Sequence, residues 1–336
     1  MMSRSMQSTK TLAILCLVWL LLLTATVGNS AAADNVAVTL ALDWYPNANH
    51  LGLFIAQEKG YFQHENLAVT LYTPVDPSTV LQTVGSGKDT FGLSYQPDVL
   101  LARAQGVPVV SVAALVQHPL NSVVALKSSG ITRPRDLVGK KVGYPGIPTN
   151  EPLLDTMLKT DGARGLQDVE LVNVGFDLVP ALIGRRVDAV VGAYWTHESI
   201  VLENQGHAVT ILRMEEWGVP DYYELVLVTD EATLRSKPEV VTRFLRALRQ
   251  GYNDAASNPQ AGVDILLKGT RAEVDEKIER PGATLLAPLW KTDTIPFGTQ
   301  DVAKWESFTR WMQANGLLGS QVKAQDAFTN RFYQDK

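Results

Sequence analysis

Six short stretches combine aromatic rings with carboxylate, amide or hydroxyl groups: WYPNANH at 44–50, YQPD at 95–98, QHPLNS at 117–122, YPGIP at 144–148, YWTHE at 194–198 and WGVPDYYE at 217–224. Rings beside hydrogen-bonding groups suit a flat ligand. Stacking on an aromatic face adds about 0.5–1.5 kcal/mol beyond the burial of area. Polar groups around the rim fix orientation and reject analogues. An ionised carboxylate such as Glu198 only accepts hydrogen bonds, so it suits an amino group or a protonated ring nitrogen. The stretches hold no cluster of Arg or Lys, which argues against phosphate, sulfonate or nitrate as ligand. Any one of these residues could be loop packing; their common position at strand ends is what points to a site.

Catalytic and metal motifs fail on inspection. Gly85-Ser86-Gly87-Lys88 resembles a phosphate loop, but Gln82 stands where the first Gly belongs and Asp89 where a magnesium-holding Ser or Thr belongs. It reads as a turn between helix and strand. Gly92-Leu93-Ser94-Tyr95-Gln96 begins like a nucleophile elbow and lacks its last Gly. His197-Glu198 is followed by Val201 where a zinc protease has its second His. The histidines at 50, 64, 118, 197 and 207 show no metal-ligand spacing. The sequence therefore predicts a binder, with no catalytic residue, metal or cofactor.

Short apolar strands and helical segments alternate to position these stretches, a pattern of sheets covered by helices. Strands are predicted at 36–42, 68–72, 90–94, 107–115, 123–126, 141–144, 169–174, 187–193, 209–213 and 225–229. Asn49 is expected to cap the first helix, Pro238 to open a long one, and Thr299 to cap a last one whose Val302, Trp305, Phe308 and Met312 form an apolar stripe facing the core. The strands near 123 and 225 are placed to cross between two lobes, one of residues 34–121 plus 226–336 and the other of 122–225. Ligands of open α/β sheets sit beyond the carboxyl ends of the strands, so two facing sheets make a cleft.

The chain of 336 residues is long enough for about two domains. Residues 11–28 form an apolar run after Arg4 and Lys10, and Ala31-Ala32-Ala33 offers a cleavage site before Asp34. This order predicts a secretory signal peptide at 1–33 and a periplasmic or other extracytoplasmic location. The run could also span a bilayer, so an uncleaved anchor is the alternative. Cys16, the only cysteine, sits inside the run, so the exported chain would have neither disulfide nor thiol chemistry. Without Arg4 and Lys10 the formal charge moves from −5 to −7. An acidic surface without basic clusters argues against nucleic acid as partner.

The stretches LDWYPNANHLGLFIAQEKGYF, GLSYQPDVLLARAQGVPVVSVAALVQHPLNS, GKKVGYPGIP, VELVNVGFDLVPAL, DAVVGAYWTHE and WGVPDYYELVLV resemble the bacterial solute-binding proteins for thiamine pyrimidine precursors, relatives of the hydroxymethylpyrimidine phosphate synthases. They cover most of residues 38–230. The resemblance implies an α/β, two-lobed periplasmic-binding-protein fold of type II. It implies a monomeric component of an ABC importer with permease and ATPase partners, and a ligand such as formylaminopyrimidine or hydroxymethylpyrimidine. Trp44 then matches the stacking residue, Asn47 a polar contact beside it, and Glu198 the carboxylate that reads the aminopyrimidine edge. Tyr95, Tyr194, Trp195 and Tyr222 match wall residues. The synthase branch is the enzyme alternative. It uses an active-site histidine and a lysine that holds pyridoxal phosphate; here those positions align with Asp98 and Ser94, and its cysteine-rich motif falls near 219–223, where no cysteine occurs. Riboflavin importers use similar binding proteins, so riboflavin is a second ligand alternative.

Overall fold

The computed structural model describes residues 35–271, 273–290 and 296–333; the predicted signal peptide 1–33, with Cys16, lies outside the described residues. Ten strands among the described residues form two five-stranded sheets. The first holds β1 (Val36–Ala41), β2 (Leu67–Tyr72), β3 (Phe91–Ser94), β4 (Val109–Val116) and β10 (Leu225–Asp230), in the order β2-β1-β3-β10-β4. The second holds β5 (Asn121–Leu126), β6 (Lys141–Tyr144), β7 (Glu170–Asn173), β8 (Ala189–Tyr194) and β9 (Val209–Arg213), in the order β7-β6-β8-β5-β9.

The two sheets repeat one plan. Three parallel strands stand together, and the fourth place is taken by an antiparallel strand that arrives from the other sheet. β10 runs antiparallel to β3 and β4, and β5 antiparallel to β8 and β9. Both sheets are therefore mixed, because each lobe receives one strand from a crossing rather than from a local βαβ turn. The chain passes between the sheets at 117–120 and again at 214–224.

β4 reads VVSVAALV and is buried along its whole length, although it stands last in its sheet. An apolar edge strand invites foreign pairing unless it is covered. Here the C-terminal segment covers it. Ser111 N donates to Ala327 O at 2.8 Å, Thr329 N to Ser111 O at 2.9 Å, and Ala114 N to Gly298 O at 2.9 Å.

The helix Leu51–Glu58 packs on the long helix Pro238–Ser257 through two glycines. A Cβ on Gly251 would sit 2.0 Å from Gly52 O, and one on Gly52 would sit 2.1 Å from the Tyr252 ring. Only hydrogen at both positions lets the backbones approach this closely. The expected caps shift by two residues. Asn47, not Asn49, caps the turn Ala48–His50 that leads into the first helix, its side chain accepting from Asn49 N at 2.9 Å. Asp301, not Thr299, caps the helix Val302–Ala314. On that helix Trp305, Phe308 and Met312 are buried, but Val302 is exposed, because the first turn projects past the core.

Candidate functional site

Between the sheets lies a narrow cavity of about 500 Å³ empty volume. All six aromatic and polar stretches contribute to its wall. From the first sheet come Asp43, Trp44 and Asn47 after β1, and Tyr95 and Pro97 after β3. From the second come Ile147, Thr149, Asn150 and Leu153 after β6, and Gly192, Tyr194, His197 and Glu198 at the end of β8. Asn121 opens β5 directly after the first crossing, and Tyr222 and Glu224 come from the second.

Six of the seven sequence-predicted residues thus meet there: Trp44, Asn47, Tyr95, Tyr194, Glu198 and Tyr222. Trp195 does not line the cavity. Its Nε1 donates to Pro119 O at 3.2 Å, and the Arg213 guanidinium lies 4.0 Å from its ring centroid. Trp195 opens the turn that follows β8, and its N–H donates to Leu120 O at 3.1 Å, so its ring rests against the first crossing and β9 instead of the cavity. Asn47 lines the cavity, but its amide is largely engaged in local structure. Its Oδ1 accepts from Asn49 N, and its Nδ2 donates to Tyr45 O at 2.9 Å.

Carboxylates set the electrostatics. Asp43 is buried; one oxygen faces His50 Nε2 at 2.9 Å, and the other accepts from the Tyr95 hydroxyl at 3.0 Å. His50 Nδ1 accepts from the Asn47 N–H, so its proton sits on Nε2 and points at Asp43. Glu198 is 7% exposed and opens the helix Glu198–Asn204. One of its oxygens accepts from Tyr194 N at 2.8 Å, and the other faces His197 Nδ1 at 2.9 Å. Each oxygen keeps a further lone pair.

Glu224 joins the two crossings. Its Oε2 accepts from Leu120 N at 2.7 Å, Asn121 N at 2.8 Å and the Tyr222 hydroxyl at 3.2 Å, while Oε1 accepts from the Tyr194 hydroxyl at 3.2 Å. Burial pushes its carboxyl up to about 7, against these hydrogen bonds, which favour the ionised form. Burial, reinforced by the neighbouring carboxylates, likewise holds the hydroxyls of Tyr95, Tyr194 and Tyr222 protonated well above the ordinary tyrosine value. Among the described residues no Lys or Arg lines the cavity, and His197 is the one basic side chain in its wall.

Contacts between the sheets' loops surround the cavity. Phe176, beyond β7, lies 4.4 Å centroid to centroid from both Trp44 and Tyr45. The Thr149 hydroxyl donates to Asp98 at 2.8 Å. Asp43, Asn121, His197 and Glu224 fell inside the quoted stretches, so their presence near the site was available to sequence reasoning. Thr149, Asn150 and Leu153 lie just beyond one of those stretches and carry no local signal.

Two mixed α/β sheets with a polar, ring-lined cleft between them define the two-lobed periplasmic-binding-protein class. The alkanesulfonate-binding protein SsuA from Xanthomonas axonopodis pv. citri has this fold, with a TM-score of 0.68 at 15% identity over 88% of this chain and 99% of its own. The chain belongs to the family described as NMT1/THI5 like, whose profile matches residues 47–262. It is 39% identical to a formylaminopyrimidine-binding protein of Halalkalibacterium halodurans over 96% of this chain and 99% of that one. It is also 28% identical to a 4-amino-5-hydroxymethyl-2-methylpyrimidine phosphate synthase of Legionella pneumophila, over 89% and 92% of the two chains. Among the described residues no group of His, Cys, Asp and Glu is arranged to hold a metal ion, and no helix is long and apolar enough to cross a membrane.

Proposed function

We propose that the protein is the solute-binding component of an ABC importer and closes its lobes on an aminopyrimidine precursor of thiamine. One observation carries the reading: a slot between the sheets presents the Trp44 ring, a ring of tyrosines and three carboxylates, with no Lys or Arg among the described residues that line it. Such a wall suits a flat, uncharged or cationic ring that donates hydrogen bonds, and it repels anions. Glu198 is the group assigned to the amino edge of the ligand, and Trp44 to its face. Tyr95, Tyr194 and Tyr222 complete the wall; Asn47 acts chiefly by shaping the loop that carries Trp44.

In this reading lobe 1 is residues 34–121 plus 226–336, lobe 2 is 122–225, and the crossings stitched by Glu224 are the hinge. Ligand favours the closed form because only that form lets both lobes touch it. The exported chain acts outside the cytoplasm as a monomer, and its closed form meets a permease whose ATPase drives import.

A synthase reading has relatives to support it, but Ser94 and Asp98 stand where the resemblance places the cofactor lysine and the reacting histidine. Riboflavin is the competing ligand. A thermal-shift panel of formylaminopyrimidine, hydroxymethylpyrimidine, thiamine and riboflavin tests the proposal. Ligand at a hundred times its dissociation constant should stabilise the fold by about 2.7 kcal/mol. A shift with riboflavin alone would replace the ligand; pyridoxal phosphate absorbance with pyrimidine formation would replace the function.

A further inference from the structure

We propose that His197 and Glu279 form a clasp that locks the lobes together over the cavity, with His197 as a positioning residue for the Glu198 carboxylate. The inference rests on the binding reading above. His197 lies beyond β8 of the second sheet. Glu279 lies on the helix Glu276–Trp290, whose buried residues Ala283, Leu286 and Trp290 belong to the same core as β1 and β3 of the first sheet.

The imidazole bridges the two. Its Nδ1 is 2.9 Å from Glu198 Oε1, and its Nε2 is 3.4 Å from Glu279 Oε1. Ionised carboxylate oxygens only accept, so a ring between two of them is best satisfied with a proton on each nitrogen. Burial works against that charge, but Glu198 and Glu279 outweigh it and push the histidine up to about 10. The outer ends are anchored too. Glu279 Oε2 accepts from Ala48 N at 2.6 Å, and Glu198 Oε2 from Tyr194 N at 2.8 Å. One chain of contacts therefore runs from the turn beside Asn47, through the clasp, to the strand end that carries Tyr194.

Two further observations place this contact at the seam between the lobes and in the wall of the cavity. A Cβ on Gly282, three residues beyond Glu279, would lie 2.8 Å from Thr196 O, so the helix meets the loop as closely as glycine allows. His197 also lines both the inner cavity and an outer hollow of about 940 Å³, bordered by Tyr45, Val201 and Glu279. Opening the clasp would join the two spaces, which gives the ring compound a way in and out.

The test compares Glu279→Gln, His197→Gln and the double variant with the unaltered protein. Glu279 does not line the cavity, and Gln keeps an oxygen for Ala48 N while removing the charge opposite His197. Stopped-flow measurements use formylaminopyrimidine as probe. We expect Glu279→Gln to raise the dissociation rate about tenfold with the association rate within about twofold, and the double variant to lose no more than His197→Gln alone. An unchanged dissociation rate, or additive losses, would overturn the clasp. Small-angle scattering of the probe-free proteins reads the clasp separately. The clasp involves no ligand atom and so holds part of the probe-free population closed; both single variants should therefore show a larger radius of gyration than the unaltered chain, and identical curves would overturn it. If the probe fails to bind the unaltered protein, the ligand assignment falls and the scattering comparison alone decides the clasp. Should Glu279→Gln fold poorly, Glu279→Asp, which keeps the charge on a shorter arm, is expected to give an intermediate dissociation rate.

Discussion

Replacing Asp98 by Asn should change how stability depends on pH. Asp98 is 6% exposed, and its polar partner across the lobes is the Thr149 hydroxyl at 2.8 Å. Burial pushes its carboxyl from 3.8 up to about 7, against that hydrogen bond. The folded chain therefore holds this proton more tightly than the unfolded chain does. The group's contribution to stability is greatest below about pH 4 and is lost as pH rises to about 7, beyond which it stays flat. At about 1.4 kcal/mol per pH unit the whole span is worth about 4 kcal/mol, roughly 3 of it between pH 4.5 and 8. Asparagine is neutral throughout and keeps an oxygen for Thr149. Relative to the unaltered protein, Asp98→Asn should thus gain about 3 kcal/mol between pH 4.5 and pH 8, or about 6 °C in melting temperature. Glu224 also titrates near 7 but is present in both proteins, so it cancels in the difference. Urea denaturation at a series of pH values reads the effect. Parallel stability profiles for the two proteins would refute the argument that burial holds this carboxyl protonated.

Trp44→Ala should weaken formylaminopyrimidine binding at least about tenfold, roughly 1.4 kcal/mol, while the melting temperature without ligand stays within a few degrees; calorimetry checks both. Glu198→Gln should cut affinity for aminopyrimidines more than for an analogue without the amino group, and equal losses for both would remove Glu198 from the ligand's amino edge. Glu224→Ala leaves the buried Leu120 and Asn121 N–H groups without their acceptor and should destabilise the fold by about 1–3 kcal/mol for each, read by thermal denaturation. Gly251→Ala forces a methyl group into Gly52 O and should destabilise by about 1–3 kcal/mol, whereas Gly106→Asn, at a left-handed turn with open space around it, should have little effect.

The local pattern carried much of the architecture. Alternating strands and helices, together with the polar-aromatic stretches at strand ends, are short-range features, and a residue's neighbours in sequence largely decide them. That is why all six stretches could be found before any fold was known, and why Trp44, Tyr95, Tyr194, Glu198 and Tyr222 fall on one cavity wall. Caps were less legible. A turn of Ala48–His50 intervenes before the first helix, so the oxygen that does the capping sits two residues earlier than the periodicity suggests.

What the sequence could not decide is which side of the chain each residue shows and whom it meets. Trp195 sits beside Tyr194 and is equally aromatic, but in the turn after β8 it packs against Arg213. Glu224, at the end of the second crossing, acquires its place only because the chain leaving the first crossing runs beside it, with Leu120 and Asn121 104 and 103 residues away in sequence. Glu279 reaches Ala48 across 231 residues and His197 across the cleft. A carboxylate's role depends on the donors and the burial around it, and those come from distant segments packed together. Composition and spacing therefore determined that rings and carboxylates would gather at a cleft, while tertiary packing decided which of them face inward and which fasten the two halves.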